Sequence, residues 1–537
     1  MRKARLDSSL TVEGIIKFLL PRFPQSRKVP SWPPDVFAIC ATLLNKSGTY
    51  SHVFAKWPPQ KFKGNKTAWA DHAAAVGKTW RSSWVSGKAA PKEVNDLWNV
   101  VLSFRLEPVE TIETQSDLWE AVVSLCAIAD EASEGVGTVM LSGEEYDREF
   151  VANANIRLLP HYGGSACIEV HPSRGRVLPK MHTPQSGLTV RSLSHYLALV
   201  PLNETLPVWA MLAGPTLRTS RSMRLLLIPW PLSFDPQAIR PADPSPHEMA
   251  NMPDCFGFFT YDPAGVGEDV VEVVMTLKTQ AEKSGAIDGI ILPECALNEN
   301  QCSRLVRRLA NTDCFLIAGC GSPATNKAAG ENKVVMAFPR LGLLEQRKHH
   351  RWKLDSSQVA SYNLSLNKEV EWWEYIPIGA RRFVITTVGD NFTLASLICE
   401  DLARPDPVGE VIRAVGPNLI IALLMDGPQI RERWSARYAT VLADDPGSSV
   451  LSLSNLGFVQ AHKNFAGNTG SRTIGIWKDG KGKYAIELKL KEGAEAMVLN
   501  LELKYQTEWT ADGRSDGASA LVPTLQDFDR DVEHISR

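Results

Sequence analysis

No run of apolar residues in this chain is long enough to cross a bilayer as a helix. The longest, such as Leu419–Met425, fall far short of the ~20 residues such a span requires. Net charge is almost absent: 58 Lys and Arg stand against 60 Asp and Glu, so no global field draws the chain to nucleic acid or to an anionic membrane. Paired cysteines are missing. None of the nine lies in a CxxC pair or in a Cys/His array with zinc spacing. The adjacent His349-His350 pair is not a metal site on this reading, because neighbours on a strand point to opposite faces. The opening MRKARLDSSL is charged and has no long apolar core, which reads as no export signal. Reduced thiols and a cytoplasmic setting are the resulting expectations.

At 537 residues the chain exceeds one ordinary core, and length alone predicts two to four domains. Residues 1–150 read as a mostly α-helical N-terminal domain. Apolar residues recur at helical spacing over Leu10–Leu20, with Thr11 and Glu13 at its start, and further helices are expected at Val36–Leu44, Ala68–Val85, Asp96–Phe104 and Ser116–Ala132. Charge is uneven here. Arg2 to Arg105 holds 17 Lys/Arg against 6 Asp/Glu, and Leu106 to Glu149 holds 1 against 12. A basic, Trp-rich surface is one way to hold nucleic acid, through phosphates and stacking. Tryptophans spaced on helices are more often core, and the two charged stretches then complement each other or face water.

Residues 151–222 read as a connecting region, with a short strand at Ala166–Val170, a Pro/Gly/Ser-rich loop at His171–Gly187, and helix or strand at Ser192–Leu199. From Met223 strands and helices alternate, which predicts a layered α/β domain over 223–537. Strands are expected at Arg224–Ile228, Gly289–Leu292, Leu341–Lys348, Leu394–Ile398 and Leu419–Met425, among others. Leu442-Ala443-Asp444-Asp445 has the paired aspartates of a two-metal site, but Pro446-Gly447 follows at once, and the stretch reads as a helix-to-strand turn.

Three strand ends carry chemistry. In Thr393–Pro405, TLASLICEDLARP, the apolar run stops at Cys399, and Glu400 and Asp401 follow. In Asp288–Leu297, DGIILPECAL, Pro293 ends a short strand with Glu294 at its tip. In Leu341–Leu354, LGLLEQRKHHRWKL, a strand runs into Lys348, with Lys353 close behind. Taken singly, a cysteine at a strand end is usually an inert core residue, and an acid or a lysine there is usually solvated. Glu, then Lys, then Cys in that chain order resembles the nitrilase, or carbon–nitrogen hydrolase, superfamily over about residues 223–505. Ile398-Cys399-Glu400-Asp401-Leu402 looks most like the version in its glutamine-hydrolysing members.

The resemblance implies an α/β fold, a nitrilase-like four-layer α-β-β-α sandwich that often pairs with a second copy across one helical face. It also implies a mechanism without metal or cofactor. Cys399 is the nucleophile, Glu294 the proton carrier, and a lysine the oxyanion donor together with the Glu400 N–H. Lys348, followed by His349, is the first candidate for that lysine and Lys353 the second. Gln346 stands where the family carries an aromatic residue. Trp372-Trp373-Glu374 resembles the family's aromatic-aromatic-Glu, which makes Glu374 a candidate to orient the lysine. Met425-Asp426-Gly427-Pro428, Trp434 and Arg437 are candidate pocket residues. The expected activity is hydrolysis of a small amide or nitrile through a thioester. A different class of function remains beside it: a catalytically idle module for binding or assembly, in a nucleic-acid-linked defence system or elsewhere, with the N-terminal half binding nucleic acid or protein.

Overall fold

The computed structural model describes residues 10–22, 27–52, 57–138, 144–181, 188–212, 221–244, 252–263, 267–326, 328–339, 342–388, 392–462, 470–480, 482–514, 519–525 and 527–537. All of the charged start except Leu10 lies outside them.

Among the described residues six α-helices open the chain: α1 (Val12–Leu19), α2 (Pro33–Ser47), α3 (Lys66–Val85), α4 (Lys92–Ser103), α5 (Ser116–Glu131) and α6 (Glu145–Leu158). Thr11 starts α1, its hydroxyl accepting the Gly14 N–H at 3.1 Å. In α5 every residue from Leu118 to Asp130 except Glu120 is buried, so α5 is an inner helix covered all round. The tryptophans are core. Trp57, Trp69 and Trp119 are buried, with ring centroids 5.0 and 5.7 Å from Trp57. The indole faces that a nucleic-acid stacking surface would use are thereby inside. The two charged stretches meet at Arg81, which lies 3.3 Å from both Glu134 and Asp147.

Two buried aspartates tie these helices to the next stretch of chain. Asp35 on α2 accepts the N–H groups of Ile168, Glu169 and Val170 at 3.0–3.1 Å. The stretch Ala166–Val170 is therefore not the strand expected of it: its donors go to a carboxylate instead of a ladder. Asp130 on α5 accepts those of His195, Tyr196 and Leu197 at 2.6, 2.9 and 2.8 Å. Between them the expected loop at 171–187 includes a strand, β1 (Arg176–Pro179), which pairs antiparallel with β2 (Leu197–Val200).

Then come β3 (Thr205–Leu212), β4 (Ser222–Leu227), β5 (Ile239–Pro241), β6 (Phe256–Tyr261), α7 (Val270–Ala281), β7 (Gly289–Leu297), α8 (Glu299–Leu309), β8 (Phe315–Ser322), β9 (Glu331–Phe338), β10 (Gly342–Arg347), β11 (Lys353–Leu354), α9 (Ser356–Ser361), β12 (Glu371–Glu374), β13 (Arg381–Val388) and β14 (Phe392–Ile398). The chain continues through α10 (Glu400–Ala403), α11 (Val408–Val415), β15 (Leu419–Leu424), α12 (Trp434–Asp444), β16 (Ser449–Ser454), α13 (Leu456–Ala461), β17 (Thr473–Lys478), β18 (Ile486–Lys489), β19 (Ala496–Thr507), β20 (Ser519–Thr524), α14 (Phe528–Asp531) and β21 (Val532–Ile535). Asp445 closes α12 ahead of β16, as the helix-to-strand reading of that stretch requires.

One sheet has the order β10-β9-β8-β7-β4-β19-β20, with β21 also on β19, and the other β18-β17-β16-β15-β14-β13-β3. The alternation along β4 shows how they stack. Leu225 and Leu227 face a core shared with Leu397, Ile421 and Leu451 of the second sheet. Leu226 and Ile228 face Val274 and Leu277 of α7 and Leu305 of α8. Adjacent strand residues point to opposite faces, so helices α7 and α8, two sheets, and then α11 and α12 make four layers. This is the nitrilase-type α-β-β-α sandwich, preceded by a helical N-terminal region. Gln346 bridges the sheets: its side chain donates to Ser396 O on β14 and accepts the Val384 N–H on β13, at 2.9 and 2.8 Å.

The N-terminal region joins this sandwich directly. β3, from the stretch read as a connection, is the edge strand of the second sheet, parallel to β13. α11 packs against β2, and the Met181 N–H donates to Val415 O at 2.8 Å. Part of the α11 face of the sandwich is thus covered from within the chain.

Candidate active site

Each residue of β14 is buried, and the strand delivers Cys399 to a sharp turn into the short α10. Cys399 has φ +44° and ψ −105°. A side-chain-bearing residue at positive φ costs about 1–3 kcal/mol and persists only where its surroundings hold it. Here the Cys399 N–H donates to Leu423 O on the neighbouring β15, and its carbonyl accepts the Leu402 N–H, both at 2.9 Å. Asp401, fully buried, accepts the His349 N–H with both oxygens, at 3.1 and 3.0 Å, and lies 2.9 Å from His350 Nδ1. Asp401 so pins the loop after Lys348 to the turn that carries Cys399.

Glu294 sits in a bulge rather than at a strand end. β7 pairs with β8 up to Leu292, where Ala318 is the partner, and resumes at Leu297 opposite Cys320. Residues 293–296 bow out between these points, with Cys295 at φ +48°. Gly319 on β8 leaves the room. A Cβ there would stand 2.2 Å from Pro293 O and 2.5 Å from Glu294 Cα, well inside van der Waals contact.

Lys348 follows directly on β10, and its amine is wholly buried between two carboxylates. Nζ lies 2.7 Å from Glu294 Oε1 and 2.7 Å from Glu374 Oε2. Glu374 ends β12, and its Oε2 also accepts the Trp352 N–H at 3.0 Å. A fourth residue, which sequence reasoning missed, closes the ring. Asn332 Nδ2 donates to Glu294 Oε1 at 2.8 Å and to Glu374 Oε1 at 2.7 Å. Glu294 Oε2, by contrast, is buried and has no hydrogen-bond partner among the described residues.

Burial drives the electrostatics. It pushes the Cys399 thiol well above its ordinary value. The Glu294 charge adds to this, while Lys348 and a backbone hydrogen bond from Met425 pull the other way. Burial also raises the Glu294 carboxyl, and Glu374 pushes it further against the opposing pull of Lys348. For Lys348 burial is outweighed by Glu294, Glu374 and Cys399, and its pKa rises well above the ordinary lysine value. The resting arrangement is a protonated amine, a neutral thiol, and a carboxylate whose affinity for a proton is raised.

A cleft of ≈ 390 Å³ opens onto Cys399, walled by Trp352, Met425, Arg433, Trp434 and Tyr438 among others. Asp426 fixes that wall: it accepts from the Tyr362 hydroxyl at 2.8 Å, Arg433 Nη2 at 2.7 Å and Trp434 Nε1 at 3.0 Å. Met425, Asp426 and Trp434, expected to line the pocket, do so. Gly427, Pro428 and Arg437, also expected there, are not among the lining residues, which include Arg433 instead. Lys353 stands at the mouth, exposed and 2.6 Å from Glu371. Of the two candidate lysines, Lys348 is the one that contacts Glu294. No group of His, Cys, Asp and Glu able to hold a metal ion occurs among the described residues.

No family model matches the sequence, and no protein of curated function matches it. Solved structures that the chain matches include a CN-hydrolase superfamily protein, a nitrilase superfamily member and an amidase. A CN-hydrolase superfamily protein of Xanthomonas campestris, solved with an arsenic adduct in its active site, is 15% identical over 52% of this chain and 90% of its own, with a TM-score of 0.32. Nit3 of Saccharomyces cerevisiae, from branch 10 of the nitrilase superfamily, is 18% identical over 54% and 93%, with a TM-score of 0.33. An amidase of Nesterenkonia sp. is 14% identical over 54% and 93%, with a TM-score of 0.31. At these values the likeness carries none of the chemistry, which comes from the side chains of this chain alone.

Proposed function

We propose that the chain hydrolyses a carbon–nitrogen bond of a small amide or nitrile through a thioester on Cys399. The observation that carries this reading is the state of Glu294. One oxygen is held by Lys348 and Asn332, and the other is buried with no hydrogen-bond partner among the described residues. That free oxygen acts on a neutral thiol which the strained turn presents to a cleft.

For an amide, the Cys399 sulfur attacks the carbonyl carbon as its proton passes to Glu294. The negative charge that develops on the carbonyl oxygen is met by Lys348 Nζ and the Glu400 N–H, the first of α10. The Cys399 N–H cannot serve, because it already donates to Leu423 O. Glu294 then hands its proton to the nitrogen, the C–N bond breaks, and the amine leaves a thioester behind. Water attacks next, losing its proton to Glu294, and the thiolate leaves and regains that proton. Glu374 and Asn332 position Lys348 and Glu294 and touch no reacting atom. The cleft volume sets the size class of the substrate, and Trp352, Trp434 and Tyr438 give it aromatic walls.

Ammonia release from a panel of primary amides and short nitriles tests this. C399A, E294Q and K348M should each lower kcat/KM at least about a hundredfold, the low end for loss of an acid–base or oxyanion group. K353M should stay within about threefold of wild type, as a surface change does. Turnover by C399A at the wild-type rate contradicts the proposal, as does a larger loss in K353M than in K348M.

A further inference from the structure

We propose that a second ligand site lies between the N-terminal helices and the sandwich, and that it takes an amphiphilic anion: an aliphatic chain ending in a carboxylate or phosphate group. A groove of ≈ 850 Å³ runs between α1, α2, the stretches around Arg174, Arg191 and Leu202, and α11. That is ample for a small ligand, and it is separate from the Cys399 cleft in its lining, with no residue in common.

Its walls are apolar. Leu10, Ile15, Phe18, Val190, Leu199 and Leu202 line it, and Phe18 and Leu202 are half exposed, at 50% and 49%. Exposed apolar side chains gathered along one groove mark a binding surface more than scattered ones do. Phe18 is held from one side, where Arg174 stacks 5.7 Å from its ring and donates to its carbonyl at 2.9 Å.

Its charge is one-sided. Lys46, Arg174, Arg191 and Arg413 line the groove, with Glu410 as the one acid among the lining residues. Arg191 and Arg413 share a single nearby carboxylate, Asp445, at 3.1 and 3.5 Å. Arg191 meets that carboxylate through Nη2 and Arg413 through Nε. Two guanidinium groups that divide one carboxylate leave a net positive charge at this end of the groove. An anionic head balances that charge, and a carboxylate or phosphate matches the guanidinium fork. A neutral chain fills the apolar wall and leaves that charge unbalanced. A lone inorganic anion does the reverse.

Calorimetric titration of the full-length protein tests this with decanoate, decyl phosphate, decan-1-ol, acetate and inorganic phosphate, all below micellar concentration. The expected result is saturable 1:1 binding of decanoate or decyl phosphate, at least tenfold tighter than decanol, acetate or phosphate. The tighter of the two anions identifies the head group. R413Q and L202D should each weaken that binding at least tenfold. Leu202 is half exposed, so L202D is expected to fold, and an unchanged circular-dichroism melt checks that. Decanol binding as tightly as decanoate overturns the proposal. So does the absence of saturable binding, or anion binding that neither variant changes.

Discussion

At the scale of single residues, Glu294 must be charged when the substrate arrives if it is to take the Cys399 proton. Its pKa is raised by burial and by Glu374 and lowered by Lys348, so the acid limb of kcat/KM should lie above the ordinary carboxylate range of about 4.3. The sign of a neighbour's effect is then fixed. Replacing Glu374 with Gln removes a negative charge that favours protonated Glu294, so the Glu294 pKa falls and the acid limb of E374Q moves to lower pH. A pH–rate profile of both proteins checks this. An unmoved limb, or one displaced upward, would remove Glu374 from the positioning role. Cys399 and Glu294 were marked in the sequence by apolar runs that stop at them or just before, while Lys348, which follows the polar Glu345-Gln346-Arg347, and Glu374 were marked by the motifs of the nitrilase resemblance. Asn332 was not, since an asparagine opening the stretch ENKVVMAF has nothing local to mark it. Only the β9–β10 hairpin register, with Arg347 opposite Lys333 and Gln346 opposite Val334, sets Lys348 across from Asn332.

Elements decide how those side chains converge. The strand up to Leu292 could be read from its apolar run. Its continuation past Pro293 could not, because proline ordinarily interrupts a ladder. The bulge exists because Gly319 on the next strand yields the space. Adding one methyl group there meets backbone at 2.2–2.6 Å, which a flexible side chain cannot relieve. Gly319→Ala should therefore cost about 1–3 kcal/mol, the range for overpacking. It should also lower kcat by more than that loss of folded protein explains, since the displaced group is Glu294. Chemical denaturation beside single-turnover kinetics separates the two. Full activity in a destabilised G319A would show that the bulge is tolerant. The Gln346 bridge likewise escaped the motif comparison, which marked the residue as a departure from an aromatic pattern. Its side chain instead joins the two sheets, satisfying a buried donor on β13 and an acceptor on β14.

Across the whole molecule, composition suggested parts where packing gives continuity. The shift in pattern near Met223 is real in the sequence, but β3 lies before it and completes the second sheet. One apolar core runs from Val12 and Ile16 of α1 through Leu225 to Leu451. Arg514, fully buried near the C-terminus, pairs with Asp130 at 3.0 Å, Glu131 at 2.6 Å and Asp512 at 2.8 Å. It thus binds the end of the chain to α5. No local pattern reports such a pairing, because Asp130 and Arg514 are 384 residues apart. We expect residues 10–537 to unfold as one cooperative unit. Asp130→Ala removes one of the three carboxylates around Arg514 and strands three backbone N–H groups, so it should destabilise the entire chain by about 3–5 kcal/mol. Calorimetry should show one transition, lowered as a whole in D130A. Two separated transitions, with only the earlier one moved, would instead support an independent helical domain over 1–150.

The most direct measurement is the mass of Cys399 after reaction. Incubation with an amide or nitrile from the panel that is turned over, followed by acid quench and peptide mass mapping, should find the acyl group on Cys399. C399A should carry no adduct, and E294Q should form it at least about a hundredfold more slowly. Of the nine free cysteines, Cys255 is the exposed one and serves as the internal control for indiscriminate acylation. Acylation of Cys255 with Cys399 unmodified, or equal rates in wild type and E294Q, would contradict a nucleophile at Cys399 activated by Glu294.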